Sequence, residues 1–277
     1  MKAPAFDYVR PQSLGEAIDL LAAGAGEARV IAGGQSLLAL MNLRLASPAL
    51  LIDIARLPEL AAVAEDSDAV TLGAGVTHAM IEDKRVPDPS RGLMPRVAAH
   101  LGYRAIRTRG TIGGSLALAD PAADWPAVLA GLDAEITLSG PRGRRSLKGA
   151  EFATGIFETR LDDDEIVESV RIAKLSADAR WGYVKITRKS GEFANALAVA
   201  VVDRARGQFR IVLGAANGSP LVLAEASRLL ADGRSDVEAR RAAVDSDLDH
   251  AADRHFDDYQ RNLHRVAAMR ALQQATA

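Results

Sequence analysis

Ala32-Gly33-Gly34-Gln35-Ser36 follows the strand-like run Arg29-Val30-Ile31 and precedes apolar residues with helical spacing; we call it the first glycine turn. The second glycine turn is Thr111-Ile112-Gly113-Gly114-Ser115, which follows a basic stretch. Glycine permits positive φ and lets an anion approach where a Cβ would clash. Successive backbone N–H groups and a following helix N-terminus attract phosphate. The two turns together predict a dinucleotide site that holds one pyrophosphate between them.

Composition limits the possible functions of the chain. Its 277 residues are enough for two or three lobes, and a formal net charge of −2 without a long basic run argues against a nucleic-acid partner. We expect a cytoplasmic protein, because no apolar stretch has membrane-spanning length and the start lacks a signal-peptide segment. There is no cysteine, which excludes disulfides, thiolate nucleophiles and cysteine-ligated clusters on this chain. Redox chemistry would therefore require a bound organic cofactor.

The residues around the first glycine turn predict a small α/β lobe. Ser13 and Glu16 form a capping-box pattern ahead of a short amphipathic helix. Strands are predicted on both sides of the turn, at 29–32 and 50–54, with a helix over 37–43 between them. Ser36 is placed to be the N-cap of that helix.

A second lobe is predicted from Leu60 onward. It begins with a hairpin over 61–72 and continues with helices over 77–83 and 93–101. Asp120-Pro121 predicts a helix start, with Asp120 as N-cap, and this helix extends to about Leu132. Short strands between 134 and 173 then suggest a mixed sheet.

The C-terminal part follows the predicted linker 175–178. Three long strand candidates, 180–188, 196–203 and 209–215, are joined by short polar turns and predict an antiparallel meander. Helices close the chain. His250, His255 and His264 lie among aspartates, but spacings of five and nine do not put them on one helix face, so we interpret this region as solvated helix rather than a metal site.

Five motifs in order resemble one family. The following segments carry the resemblance: Ala32-Gly33-Gly34-Gln35-Ser36-Leu37-Leu38, Leu51-Ile52-Asp53-Ile54, Gly75-Val76-Thr77-His78, Arg107 to Leu116, and Asp120-Pro121-Ala122-Ala123-Asp124. The resemblance extends through Lys185 to Ala194 and covers nearly the whole chain. The set resembles the FAD-binding medium subunit of the molybdenum hydroxylases, the carbon monoxide dehydrogenase and xanthine dehydrogenase family.

The resemblance implies an α+β fold in two domains. The first, 1–175, would be a two-lobed FAD-binding domain of the vanillyl-alcohol oxidase or PCMH type, with lobes at about 1–57 and 58–175. The second, 179–277, would be a C-terminal domain with a three-stranded antiparallel sheet and helices.

The resemblance also implies the role of the chain in a larger enzyme. FAD would be bound without a covalent link. Electrons would pass from a molybdopterin cofactor on a large subunit to two [2Fe–2S] clusters on a small subunit. From these clusters they would reach the FAD of this chain, which would pass them to an external acceptor. The assembly would be a dimer of heterotrimers. The primary substrate stays open among carbon monoxide, aldehydes, purines, other N-heterocycles and aromatic thioesters.

The resemblance implies cofactor-binding roles for residues of both turns and of further segments of the chain. The two turns would bind pyrophosphate, Thr77 would lie near the flavin, Asp124 near the ribose and Lys185 near the flavin ring. No catalytic or metal-ligating residue is predicted. The predicted cofactor-binding residues are Ala32, Gly33, Gly34, Gln35, Ser36, Leu37, Thr77, His78, Thr111, Ile112, Gly113, Gly114, Ser115, Ala119, Asp124, Lys185, Glu192 and Phe193.

Several assignments have alternatives. Asp124 could be first-turn charge that complements a helix dipole, and Lys185 could lie on a solvated strand edge. Trp125 and Trp181 are assigned to packing. Gln35 stands where many members of the family have His, and Leu118 departs from an Ala-His-Ala-Asp pattern. At the level of function, a self-contained FAD-dependent oxidase and a nucleotide-binding regulatory module remain the alternatives to an electron-transfer subunit.

Overall fold

The computed structural model describes residues 2–233 and 236–277. Met1, Arg234 and Ser235, which fall within the two predicted domains, lie outside the described residues. In the described part, no helix is both long and apolar enough to cross a membrane.

The first lobe is a three-stranded parallel sheet with two helices. Its elements are β1 (Asp7–Val9), α1 (Leu14–Ala23), β2 (Ala28–Ile31), α2 (Leu37–Asn42) and β3 (Leu50–Asp53). The strand order is β1-β3-β2, which confirms the α/β lobe predicted around the first glycine turn. The predicted capping box is only half formed: Ser13 Oγ accepts from the N–H of Glu16, whereas the Glu16 carboxylate accepts from Gln12. Ser36 makes no side-chain cap bond.

The second lobe surrounds a five-stranded sheet. Its elements are α3 (Pro58–Ala61), β4 (Val63–Glu65), β5 (Ala69–Gly73), α4 (His78–Glu82), α5 (Leu93–Ala98), α6 (Arg104–Arg109), α7 (Ile112–Leu118), α8 (Asp124–Gly131), β6 (Glu135–Gly140), β7 (Gly143–Lys148), α9 (Gly149–Phe152), β8 (Ala153–Gly155), β9 (Glu158–Thr159) and β10 (Ile166–Ala173). The order is β4-β5-β10-β6-β7, and every neighbouring pair is antiparallel. The prediction of a mixed sheet is therefore wrong, because β10 lies between β5 and β6 and runs antiparallel to both.

Helix α8 starts later than the sequence predicts. The Asp120 carboxylate accepts from the N–H of Ala122 in a local turn, and the helix begins at Asp124. All eight residues of α8 are buried, because the helix packs between the second lobe and the strands of the C-terminal domain. A helix that is apolar all round is typical of such a position.

The C-terminal domain is an antiparallel sheet with helices on one face. Its elements are β11 (Arg180–Ile186), β12 (Ala196–Asp203), β13 (Gln208–Gly214), β14 (Leu221–Val222), α10 (Ala224–Ala231), α11 (Val237–His250), a 3₁₀ turn (Ala252–Arg254) and α12 (Asp258–Thr276). The three predicted strands are confirmed, but the sheet has four. Two residues of β14 pair with β13, and so short a strand has no periodicity to detect.

Candidate functional site

A cleft of about 670 Å³ lies where the first lobe, the second lobe and the C-terminal domain meet. This volume is within the usual range for small-molecule and cofactor sites. Most of the predicted binding residues line the cleft. They are Ala32, Gly33, Gly34, Gln35, Ser36, Leu37, His78, Thr111, Gly113, Gly114, Ser115, Asp124, Lys185, Glu192 and Phe193.

The first glycine turn presents unpaired backbone donors to this cleft. Among the described residues, the N–H groups of residues 33–37 have no hydrogen-bond acceptor in the protein. Gly34 has φ +71°, in the left-handed region. This conformation allows consecutive N–H groups to turn toward one point, as in other backbone anion sites. The geometry of the turn therefore suits an anion that needs several donors.

The second glycine turn has a different arrangement. Its residues start α7, and their N–H groups already have acceptors: Ile112 donates to Val76 O, Gly113 to Ala74 O, and Gly114 to Thr111 Oγ1. Ser115 donates to the carbonyl of Thr111. A Cβ on Gly113 would lie 2.4 Å from that of Ala74, so this glycine allows close packing. A Cβ on Gly114 would meet only Thr111 Oγ1 within 4 Å, so this glycine keeps the cleft open.

The two turns are joined at Gly33. A Cβ at this position would lie 2.1 Å from the carbonyl oxygen of Arg109 and 2.9 Å from the Cα of Gly110. Only glycine allows the first turn to pack directly on the backbone that leads into the second. The Arg109 guanidinium also donates to the Gly33 carbonyl at 3.4 Å.

His78 is a buried, neutral side chain beside this junction. Trp125 Nε1 donates to His78 Nδ1 at 3.1 Å, which leaves the imidazole proton on Nε2. A Cβ on Gly110 would lie 2.9 Å from His78 Nε2, so this edge of the ring faces the junction. Burial, and then the charge of Arg107, lower the pKa of His78 to about 4. His78 therefore offers a neutral N–H donor near neutral pH.

A buried trio of polar groups connects the second lobe to the C-terminal domain. Asp124, at the first residue of α8, accepts from the Tyr183 hydroxyl at 2.6 Å and from Lys185 Nζ at 2.9 Å. Tyr183 and Lys185 both reach it because alternate residues of β11 point to one face. Burial, and then the Asp124 charge, raise the pKa of Tyr183. Lys185 Nζ also donates to the carbonyl of His100 at 3.3 Å, so Lys185 is not on a solvated edge.

The loop after β11 forms an exposed wall of the cleft. Phe193 is 62% exposed although it lines the cleft, and Gly191 lies against the backbone of Gly102. Tyr103, in the adjoining segment, is 67% exposed. An exposed aromatic side chain at the mouth of a cleft is available to contact a planar ligand.

Three predicted residues do not line the cleft. Thr77 caps α4 by accepting from the N–H of Met80, and it pairs with Thr111 through an isolated β-bridge. Ile112 is fully buried in the core. Ala119 has φ +49° and its carbonyl accepts from the N–H of Phe157. These residues position the walls of the cleft.

Sequence reasoning missed one wall. Phe157, at φ +56° and 58% exposed, lines the cleft together with the acidic residues Asp162, Asp163 and Glu165. Glu165 is buried beneath this wall and pairs with Arg145, whose hydrogen bond holds the pKa of the carboxyl below its usual range. No sequence motif marks the residues of this wall. They are also far along the chain from both glycine turns, so the sequence did not predict that they line the same cleft.

The three histidines near the C-terminus are not gathered into one site. His264 is buried and packs on Phe256, with ring centroids 4.7 Å apart, whereas His250 and His255 are exposed. Within residues 2–233 and 236–277, no cluster of three or more His, Asp or Glu side chains has the arrangement of a metal site.

Residues 4–174 match the family described as the FAD binding domain in molybdopterin dehydrogenase. The nicotine 6-hydroxylase medium subunit of Paenarthrobacter nicotinovorans is 36% identical over 249 residues, 89% of this chain and 87% of the relative. The carbon monoxide dehydrogenase medium chain of Hydrogenophaga pseudoflava is 35% identical over 89% of this chain and 87% of its own length.

Solved structures agree with these relatives over the full chain. Carbon monoxide dehydrogenase from Hydrogenophaga pseudoflava superposes with a TM-score of 0.92 at 33% identity, covering 100% of this chain and 99% of that one. Quinoline 2-oxidoreductase from Pseudomonas putida 86 superposes with a TM-score of 0.87 at 32% identity, with the same coverage.

The residues of the cleft fit FAD. The unpaired donors of the first glycine turn match a pyrophosphate, the open space over Gly114 leaves room beside it, and Phe193 and Phe157 offer aromatic faces for planar rings. The cleft also has the size such a ligand needs.

Proposed function

This chain belongs to the family of FAD-binding domains of molybdopterin dehydrogenases, and on that premise we propose that it is the electron-transferring medium subunit of a molybdenum hydroxylase. In this role it takes electrons from [2Fe–2S] clusters on a small subunit and passes them to an external acceptor. The clusters receive these electrons from a large subunit that contains molybdopterin. The proposal rests above all on the cleft and the unpaired donors of the first glycine turn.

Bound FAD supplies the redox chemistry, since it exchanges electrons both singly and in pairs. The chain contributes binding and electrostatics. We propose that the N–H groups of residues 33–37 hold the pyrophosphate and that His78 Nε2 donates beside them. Thr111 and Ser115 add hydroxyls from the second turn, and Gly114 leaves that part of the cleft free of a side chain.

Lys185 and Asp124 also line the cleft, and their buried ion pair holds the Lys185 ammonium group at a fixed position. A cation so placed favours negative charge that develops on a reduced ring system. Because Asp124 is held by Tyr183 and Lys185, we propose that it orients Lys185 rather than contacting the ribose directly.

The absence of cysteine fits the proposed division between subunits. Iron–sulfur clusters of this class are held by thiolates, and the chain has none to offer. Two of the relatives are a medium subunit and a medium chain, which is consistent with an assembly of three kinds of subunit. We further propose the domain limits 1–175 and 179–277, supported by the family match that ends at residue 174.

The proposal is tested by purifying the chain alone and with its small and large partners. We expect the isolated chain to bind one FAD, and acid precipitation should release that flavin into the supernatant. In the complex, anaerobic addition of the oxidisable substrate should bleach the flavin absorbance. With the isolated chain, the same substrates should leave the absorbance unchanged.

Two results would contradict the proposal. Oxidation of an aldehyde, heterocycle or carbon monoxide by the isolated chain would identify an autonomous oxidase. A chain that binds no flavin after incubation with excess FAD would leave only a regulatory or structural role.

A further inference from the structure

A second cavity, of about 190 Å³, lies at the far end of the C-terminal domain. Arg180 of β11 pairs with Val202 of β12, so both side chains are on the same face of the sheet. This face packs against α12. Arg204 follows β12, and Arg240 comes from α11 across the cavity. The topology thus brings three arginines from separate segments to one small cavity.

These arginines have no carboxylate partner in the part of the chain that the structure describes. Arg180 donates only to backbone carbonyls, and Arg240 donates to the Thr276 hydroxyl at 3.0 Å. Arg240 Nε is buried without an acceptor. Because this Nε is closed off from solvent, the donors open to a ligand in the cavity are the outer guanidinium nitrogens, which keep N–H groups without an acceptor in the described residues.

The acidic groups nearby do not neutralise the cavity. Asp178 lines it, but Arg180 donates to the backbone carbonyl of Asp178 and not to its carboxylate. Asp203, next to Arg204, is occupied by Ser176 and by the N–H of Arg206. Three arginines therefore line the cavity beside Asp178, and the Arg204 guanidinium also lies 5.9 Å from the centre of the Phe209 ring.

We propose that this cavity binds a phosphate-type oxyanion, either inorganic phosphate or the phosphate group of a small phosphomonoester. Guanidinium groups bind the oxygens of phosphate in pairs, and three of them match a tetrahedral anion. Val202 and Leu230 supply apolar walls beside the arginines. The site is independent of the FAD cleft.

The test uses the full chain loaded with FAD, so that the phosphate-binding part of the cleft is already filled. Isothermal titration with inorganic phosphate, glycerol phosphate and acetate compares the parent with Arg240→Gln. The matched control is Arg241→Gln, which removes the same charge from the exposed neighbouring position of α11. Arg240→Lys retains the positive charge but loses the planar guanidinium group with its paired donors. It replaces Arg240→Gln in the comparison if the Gln variant does not fold.

We expect one saturable phosphate site in the parent, weakened at least tenfold by Arg240→Gln, measurably by Arg240→Lys, and less than twofold by Arg241→Gln. Equal or tighter binding of glycerol phosphate identifies a phosphomonoester ligand, and binding of inorganic phosphate alone identifies the free ion. The proposal is overturned if the parent shows no saturable binding, if acetate binds more tightly than both phosphates, or if Arg241→Gln weakens binding as much as Arg240→Gln.

Discussion

The two glycine turns have nearly the same sequence pattern but opposite hydrogen-bonding states. In the described residues, the N–H groups of 33–37 in the first turn have no acceptor, whereas Ile112, Gly113 and Gly114 in the second already donate to protein acceptors. The difference arises from the backbone that surrounds each turn. Helix α2 begins after an irregular turn, but α7 begins beside residues 74–76, whose carbonyls accept its first donors.

The comparison separates two uses of glycine that a sequence pattern cannot distinguish. Gly33 and Gly113 let one backbone segment pack on another. Gly34 adopts positive φ, and Gly114 leaves space in the cleft. We infer that the first turn holds the pyrophosphate and that the second turn mainly builds the adjoining wall of the cleft.

The largest expected effect concerns the two packing glycines. Gly33→Ala and Gly113→Ala should each lower the free energy of unfolding by about 3 kcal/mol, because the new methyl group meets fixed backbone or a buried methyl group. Gly15→Ala is the control, since a Cβ there has only Ser13 Oγ nearby, at 3.9 Å. Urea unfolding measures all three. A loss below about 1 kcal/mol at both positions would show that close packing does not require these glycines.

The next prediction concerns the glycine that faces the cleft. Gly114→Val should weaken FAD binding by about a hundredfold while the far-ultraviolet circular dichroism stays unchanged, because the side chain enters the cleft rather than the core. Gly15→Val places the same residue near the start of another helix, away from the cleft, and should leave affinity unchanged. Fluorescence titration with FAD compares them. Equal affinities in Gly114→Val and Gly15→Val would remove the second turn from the binding site.

Acid should lower the free energy of unfolding through protonation of His78, which lies beside the junction of the two turns. Its pKa is about 4 in the folded protein and 6.5 as a free side chain, so the unfolded chain binds the proton more readily. The stability from neutral His78 is complete above pH 6.5 and is lost as the pH falls toward 4. By about pH 4.5 the loss should be on the order of 2 kcal/mol.

His78→Gln keeps an acceptor for Trp125 and should flatten this decline in unfolding free energy between about pH 7 and pH 4.5. His264, whose pKa is also lowered to about 4 by burial, is the comparison in the C-terminal domain. His264→Gln should remove a separate part of the decline. An unchanged pH profile in His78→Gln would contradict the neutral buried state.

The smallest expected effect concerns the residue that precedes each helix. Thr111→Val removes the acceptor for the Gly114 N–H and should cost about 1 kcal/mol of unfolding free energy. Ser36 makes no cap bond, so Ser36→Ala should change stability by less than about 0.5 kcal/mol. Thermal unfolding of the FAD-free proteins measures both. A larger loss in Ser36→Ala would mean that the first turn is capped after all.

Local patterns predicted much of the fold. Strand-like runs joined by short polar turns were enough for the three long strands of the C-terminal domain, and helical spacing helped to predict the lobe around the first turn. They failed at Asp120, where the carboxylate closes a turn instead of capping α8, because both outcomes use the same donor geometry. The sequence could not reveal β14, whose two residues pair only because β13 is already in place.

The candidate site was predictable where it depends on short motifs and not where it depends on tertiary contacts. Both turns line the cleft, but the pairing of Asp124 with Lys185 and Tyr183 joins residues about sixty positions apart. The wall at Phe157 reaches the cleft through a left-handed backbone that no propensity favours. The occupied donors of the second turn depend on Ala74 and Val76, which no local pattern connects to Gly113.

Hydrogen–deuterium exchange of the backbone amides, with and without FAD, tests the different roles of the two turns most directly. We predict that the amides of residues 33–37 exchange rapidly in the FAD-free protein and become strongly protected when FAD binds. The amides of Ile112 and Gly113 should be protected in both states, because their acceptors are in the protein. Protection gained at Ile112 and Gly113 on FAD binding, with none gained at residues 33–37, would contradict the account.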